Sequence, residues 1–133
     1  MPPKASVIIF DDDAEMRETT RRLLVRGGHT VIGEAGSIDG LEQLLPSLQQ
    51  ETFKDPVALL DNNAPWHDRE EPDSKGVGKT AERMIREALT DVITVATTHA
   101  GGEEAGYGDY YFNPGTGMKD LSEFIDALPA KER

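Results

Sequence analysis

The chain contains no cysteine, which excludes disulfides and thiolate-ligated metal centres. It has no apolar run approaching the roughly 20 residues that cross a bilayer. Its first residues, Met-Pro-Pro-Lys, lead straight into a short apolar stretch. They lack the apolar core and small-residue cleavage site of a secretory leader. These absences point to a cytoplasmic protein. Positive charge is also scarce: 14 Lys and Arg stand against 25 Asp and Glu, for a net charge of −11. Such a surface repels phosphate backbones and anionic membranes, so neither nucleic acid nor membrane is expected as a partner. There is no internal repeat and no linker-like segment. With 133 residues, 37% hydrophobic and 29% charged, the composition is that of one globular domain spanning 1–133.

What is present is a rhythm of strand and helix repeated five times. Val7 to Phe10 is a short continuous apolar run, the mark of a strand buried on both faces. A helix follows, with Met16, Thr20, Leu23 and Leu24 on one side, ended by Gly27-Gly28. His29 to Glu34 reads as the second strand. Ser37 suits the N-cap of a helix carrying Leu41, Leu44, Leu45 and Leu48, and Pro46 is expected to kink or break it. Val57 to Leu60 is the third strand and ends at Asp61. Polar residues 62–74 intervene before a helix beginning near Thr80 and running to Leu89. Val92 to Val95 is strand four, and the glycine-rich stretch 99–108 reads as loop. Tyr110 to Phe112 is strand five, and Leu121, Phe124, Ile125 and Leu128 mark the last helix. Buried strands alternating with amphipathic helices predict a doubly wound five-stranded parallel sheet of the flavodoxin-like order 2-1-3-4-5. The stretches 62–74 and 99–108 are polar and poor in apolar anchors, so they are expected to be the least protected parts of the chain.

In such a sheet, ligands bind beyond the carboxyl ends of the strands, where strand order reverses. Asp11, Asp12 and Asp13 directly follow strand one, and Asp61 directly follows strand three. Those strands are neighbours in the expected order, so their carboxylates converge. Like charges that close raise one another's pKa unless a cation relieves them. Magnesium is the hard cation that suits carboxylate, carbonyl and water oxygens. Asp13 is better placed as the cap of the first helix.

The segments VIIFDDDAEMR (Val7 to Arg17), VALLDNNAP (Val57 to Pro65), VITVAT (Val92 to Thr97) and YYFNP (Tyr110 to Pro114) together resemble the receiver domain of bacterial two-component response regulators. The resemblance covers nearly the whole chain. It implies that Asp61 accepts a phosphoryl group from a histidine kinase or phosphotransfer protein. It also implies Mg2+ held by Asp11, Asp12, Asp61 and the backbone carbonyl of Asn63. The aromatic switch position of the family falls on Tyr110.

Three departures from the family stand out. Its Lys before the proline after strand five is here Asn113. Its strand-four hydroxyl falls on Ala96 in the direct frame and on Thr97 after a one-residue shift; Thr97 is preferred because it carries a hydroxyl. The loop after Asp61 is long, and the region between strands four and five is too short and glycine-rich for a full helix, so that helix is expected to be reduced or absent.

Other signals carry less. Gly76-Val77-Gly78-Lys79-Thr80 looks like the end of a phosphate-binding loop, but Asp73 stands where the first glycine belongs and no strand precedes it. Trp66 and its charged neighbours match no ligand spacing. His29 and His99 have no acid partner in sequence and are read as structural or exposed. The expected function is a stand-alone receiver in a phosphorelay. It would not be a conventional enzyme, catalysing at most its own phosphorylation and dephosphorylation. No DNA-binding segment follows the last helix, so output is expected through an unknown partner protein. The alternative is a pseudo-receiver that binds partners without phosphorylation. A nucleotide- or flavin-binding enzyme on the same sheet is the third reading.

Overall fold

The structure, a computed structural model, describes residues 5–53, 55–61, 77–97, 107–114 and 117–128. Five parallel strands form one sheet: β1 (Ser6–Phe10), β2 (Thr30–Ala35), β3 (Pro56–Asp61), β4 (Ile93–Thr97) and β5 (Tyr110–Phe112). Their order is β2-β1-β3-β4-β5, as the rhythm of strands and helices predicts. The helices are α1 (Ala14–Arg26), α2 (Ile38–Gln49), α3 (Val77–Ala88) and α4 (Leu121–Asp126), the last preceded by a 3-10 turn over Met118–Asp120. Among the described residues, none of the helices lies between β4 and β5. None is long and apolar enough to cross a membrane.

Side-chain alternation along each strand divides the core in two. Ile8, Phe10, Ala58, Leu60 and Ala96 pack with α2 and α3 through Leu41, Leu48, Val77, Ala81 and Ile85. Val7, Ile9, Val57, Leu59, Ile93 and Val95 pack on the opposite face with Leu24 of α1 and with Leu121 and Ile125 of α4. Because both faces are covered, β1 and β3 read as unbroken apolar runs rather than alternating ones.

Local chemistry explains most boundaries. Asp13 Oδ1 accepts the backbone N–H groups of Glu15 and Met16 at 2.9 and 3.3 Å, so it caps α1 as expected. The chain leaves that helix through Gly27 and through Gly28 at φ +93°, a left-handed value that glycine adopts without strain. Ser37 Oγ accepts the N–H of Gly40 at 3.0 Å and starts α2.

Four expectations need correction. Pro46 does not break α2, which runs to Gln49 because buried Leu41 and Leu48 anchor it on both sides of the proline. Helix α3 begins at Val77, three residues before Thr80, because Val77 and Gly78 are themselves buried. Strand four runs Ile93–Thr97 rather than Val92–Val95, since its pairing with β3 continues to Asp61↔Thr97. Most of 62–74 and 99–108 lies outside the described residues, but Tyr107 does not fit the picture of an unanchored loop: it is only 5% exposed and belongs to the core.

Candidate functional site at the carboxyl ends of β1, β3 and β4

Register places the acidic residues. Phe10 pairs with Leu60, so Asp11, just after β1, and Asp61, the last residue of β3, lie at the same end of the sheet. One carboxylate oxygen from each of Asp11, Asp12 and Asp61 lies within 4.8 Å of the others. Asp11 and Asp61 are half-buried and Asp12 is exposed. Asp13, turned to its capping role, is absent from this group.

Asp11 is held by three hydrogen bonds. Its N–H donates to the carbonyl of Ala35 at 3.0 Å, tying it to the end of β2. Its own carbonyl accepts Arg17 Nη1 at 2.6 Å, and its Oδ1 accepts the N–H of Asp13 at 2.9 Å. Burial raises the Asp11 carboxyl above its ordinary pKa, and the negative charges of Asp12 and Asp13 add to this. The Asp13 N–H and the Arg17 guanidinium act in the opposite direction. Burial and the repulsion of neighbouring carboxylates prevail.

On β4, Thr97 pairs with Asp61, whereas Ala96 pairs with Leu60 and is fully buried in the core. On β5, Tyr110 is half-buried against the α1–α4 face of the core, and Asn113 follows Phe112 as an exposed residue. Asn63 and Trp66 lie outside the described residues, as does Lys75. Lys79 is exposed in the first turn of α3.

The residues fit Mg2+ in kind and approximately in spacing. At metal–oxygen distances of about 2.1 Å, ligands on opposite sides of the ion stand about 4.2 Å apart. Of three such ligands at most one pair can be opposite, and adjacent ligands stand about 3.0 Å apart, so oxygens now within 4.8 Å of one another would draw closer around the ion.

Solved structures similar to this chain are receiver domains of response regulators. The non-phosphorylated receiver domain of the stress response regulator RcsB from Escherichia coli is 18% identical, with a TM-score of 0.68, and 93% of this chain covers 92% of it. A LuxR-family two-component response regulator from Aurantimonas sp. SI85-9A1 is 23% identical at TM-score 0.66, over 92% of this chain and 83% of that one. A CheY-like receiver domain protein from Methanospirillum hungatei JF-1 is 20% identical at TM-score 0.60, over 92% and 94%. The chain has the receiver fold. No protein-family model matches the sequence, and no curated protein matches it either. At this level of identity the receiver fold is established by shape, and its chemistry here must rest on the residues themselves.

Several interacting polar residues were not legible in the sequence. Glu82 and Arg86 of α3, Thr94 of β4 and Asp109 before β5 form one polar cluster. Thr94 Oγ1 donates to Glu82 Oε2 at 2.7 Å, and the Gly108 N–H donates to the same oxygen at 2.7 Å. Arg86 Nη2 donates to Asp109 Oδ1 at 2.8 Å and to Thr94 Oγ1 at 3.0 Å. The Thr94 N–H donates to Asp109 Oδ2 at 3.1 Å. Only the Glu82–Arg86 spacing of four residues was visible in sequence. His29 is buried, as a structural residue should be, and its acid neighbour comes from far along the chain: Nε2 lies 3.2 Å from Asp126 Oδ1.

Proposed function

We propose that this chain is a receiver that accepts a phosphoryl group on Asp61 with Mg2+ held by Asp11, Asp12 and Asp61, and that it signals through contact with another protein. The observation that carries this reading is the convergence of those three carboxylates beyond β1 and β3 of a receiver fold. An Asp61 carboxylate oxygen attacks phosphorus in line with the donor bond. For a phosphohistidine donor on a kinase or phosphotransfer protein, the P–N bond breaks and its electron pair returns to the imidazole nitrogen. The product is an aspartyl phosphate, a mixed anhydride that retains the phosphoryl group until water cleaves it. Catalysis of such a step is mainly positioning and charge neutralisation. A bound Mg2+ supplies positive charge beside the phosphoryl oxygens. The Thr97 hydroxyl, opposite Asp61 in the β3–β4 register, is the donor for a phosphoryl oxygen.

Asn113 weakens this machinery. An amide donates a hydrogen bond but brings no charge, and two unit charges at 4 Å interact by roughly 4 kcal/mol at an effective dielectric of about 20. Screening reduces this to a loss on the order of 1–3 kcal/mol. That corresponds to about five- to 150-fold in rate. Asn113→Lys should therefore accelerate phosphorylation by acetyl phosphate in that range, with Mg2+ required by both proteins. Phosphorylation is read by intact mass and Mg2+ binding by the fluorescence of Trp66, the single tryptophan. Equal rates in the two proteins would remove the claim of a weakened site. Asn113 itself also favours a second reading, the pseudo-receiver. That reading takes over if neither protein reacts and Asp61→Asn binds the same partners as wild type.

A further inference from the structure

Tyr107 is the single large apolar side chain in the stretch 99–108, which otherwise holds glycine, alanine, His99 and two glutamates. Its ring is buried among Leu60, Val77 and Ala81 in the α2–α3 half of the core. Its hydroxyl donates to the Leu60 carbonyl at 2.9 Å, across 47 residues of chain. The Leu60 carbonyl belongs to the same rigid peptide plane as the Asp61 nitrogen and Cα. A bond to that oxygen therefore fixes the direction in which β3 delivers the Asp61 side chain.

Tyr107 is itself held from both sides. A Cβ at Gly78 would meet the ring's Cζ at 2.5 Å, so the ring lies flush on α3 only because residue 78 has no side chain. Next along the chain, Gly108 sits at φ +91°, and a Cβ there would meet Ala96 N at 2.9 Å. That close passage over β4 lets the Gly108 N–H reach Glu82. Burial and the nearby Asp61 and Glu82 charges keep the phenol protonated, hence a donor.

We infer that Tyr107 is a positioning residue for Asp61: its hydroxyl on the Leu60 carbonyl sets the acceptor carboxylate, and its backbone links that setting to the β4–β5 junction. The inference rests on the proposed phospho-acceptor role of Asp61. Tyr107 is distinct from Tyr110, which packs on the opposite face of the sheet.

Two variants approach the contact from different directions. Tyr107→Phe keeps the ring and removes the hydroxyl. Gly78→Ala keeps the hydroxyl and displaces the ring. With Mg2+ and acetyl phosphate, each should lower the maximal phosphorylation rate per folded molecule three- to tenfold. The half-saturating Mg2+ concentration and the urea midpoint are measured alongside, to count folded molecules and loaded sites. A residue that only stabilises the fold would lower the urea midpoint and leave the rate of the folded fraction unchanged. Wild-type rates in folded Tyr107→Phe overturn the inference while leaving the receiver reading intact. If Tyr107→Phe does not fold, the rate of Gly78→Ala decides in the same way. A wild-type protein inert to acetyl phosphate overturns the receiver reading, and the inference with it.

Discussion

Burial raises the Asp11 carboxyl above its ordinary value of 3.8, which makes this residue a cost to the fold at neutral pH. The sign follows from proton binding. Between the unfolded and folded pKa values the folded state holds the proton more firmly. The stability contributed by that proton is therefore present below about 3.8 and is lost as pH rises through the folded value. Asp11→Asn should raise the urea midpoint at pH 7, and its advantage should shrink as pH falls towards 3.8. The Asn oxygen can still accept the Asp13 N–H, so the local turn survives the change. Mg2+ should stabilise the wild type at pH 7 by about 1.4 kcal/mol at ten times its dissociation constant, and Asp11→Asn much less. A variant less stable than wild type at pH 7 would show that the raised pKa is not expressed in stability. Asp11 and Asp61 were legible because each directly follows an apolar strand. The difference between Asp12 and Asp13 was also legible, since a helix starting at Ala14 needs a cap at Asp13.

At the scale of elements, capping separates scaffold from site. Asp13→Ala removes the acceptor for Glu15 and Met16 and should cost about 1 kcal/mol. It should change Mg2+ affinity by less than about twofold, because the Asp13 backbone N–H that serves Asp11 remains. Urea denaturation and Mg2+ titration of the same variant check both halves; a large loss of Mg2+ binding would place Asp13 in the metal site after all. Helix centres were legible from apolar spacing, but some ends were not. The first turn of α3 is set by the Tyr107 ring on Gly78, a contact between residues 29 positions apart that no local pattern encodes. The fate of Pro46 was likewise decided by tertiary anchoring at Leu41 and Leu48, which outweighs a missing backbone donor.

For the whole molecule, strand order was legible because apolar runs and helical spacing alternate strictly, and the handedness of crossovers leaves few topologies. The polar cluster that joins α3 and β4 to the residues just before β5 was not legible, because its side chains come from distant parts of the chain. That cluster has a consequence for how the molecule comes apart. Strand β5 shares only three residue pairs with β4, whereas β1 and β3 share five. Polar contacts centred on Glu82 and Asp109 join the apolar packing of Tyr110 and Phe112 in holding this edge. Native-state hydrogen exchange should reveal a sub-global opening in which the Tyr110–Phe112 amides exchange at lower free energy than those of β1 and β3. Glu82→Gln should lower that opening energy by a further 1–3 kcal/mol or so, with a smaller change in global unfolding. Uniform exchange energies across the sheet would contradict this. The chain would then be a single cooperative unit; a firm four-stranded body with a separable seam instead has one edge that opens to a second arrangement at lower free energy than the rest.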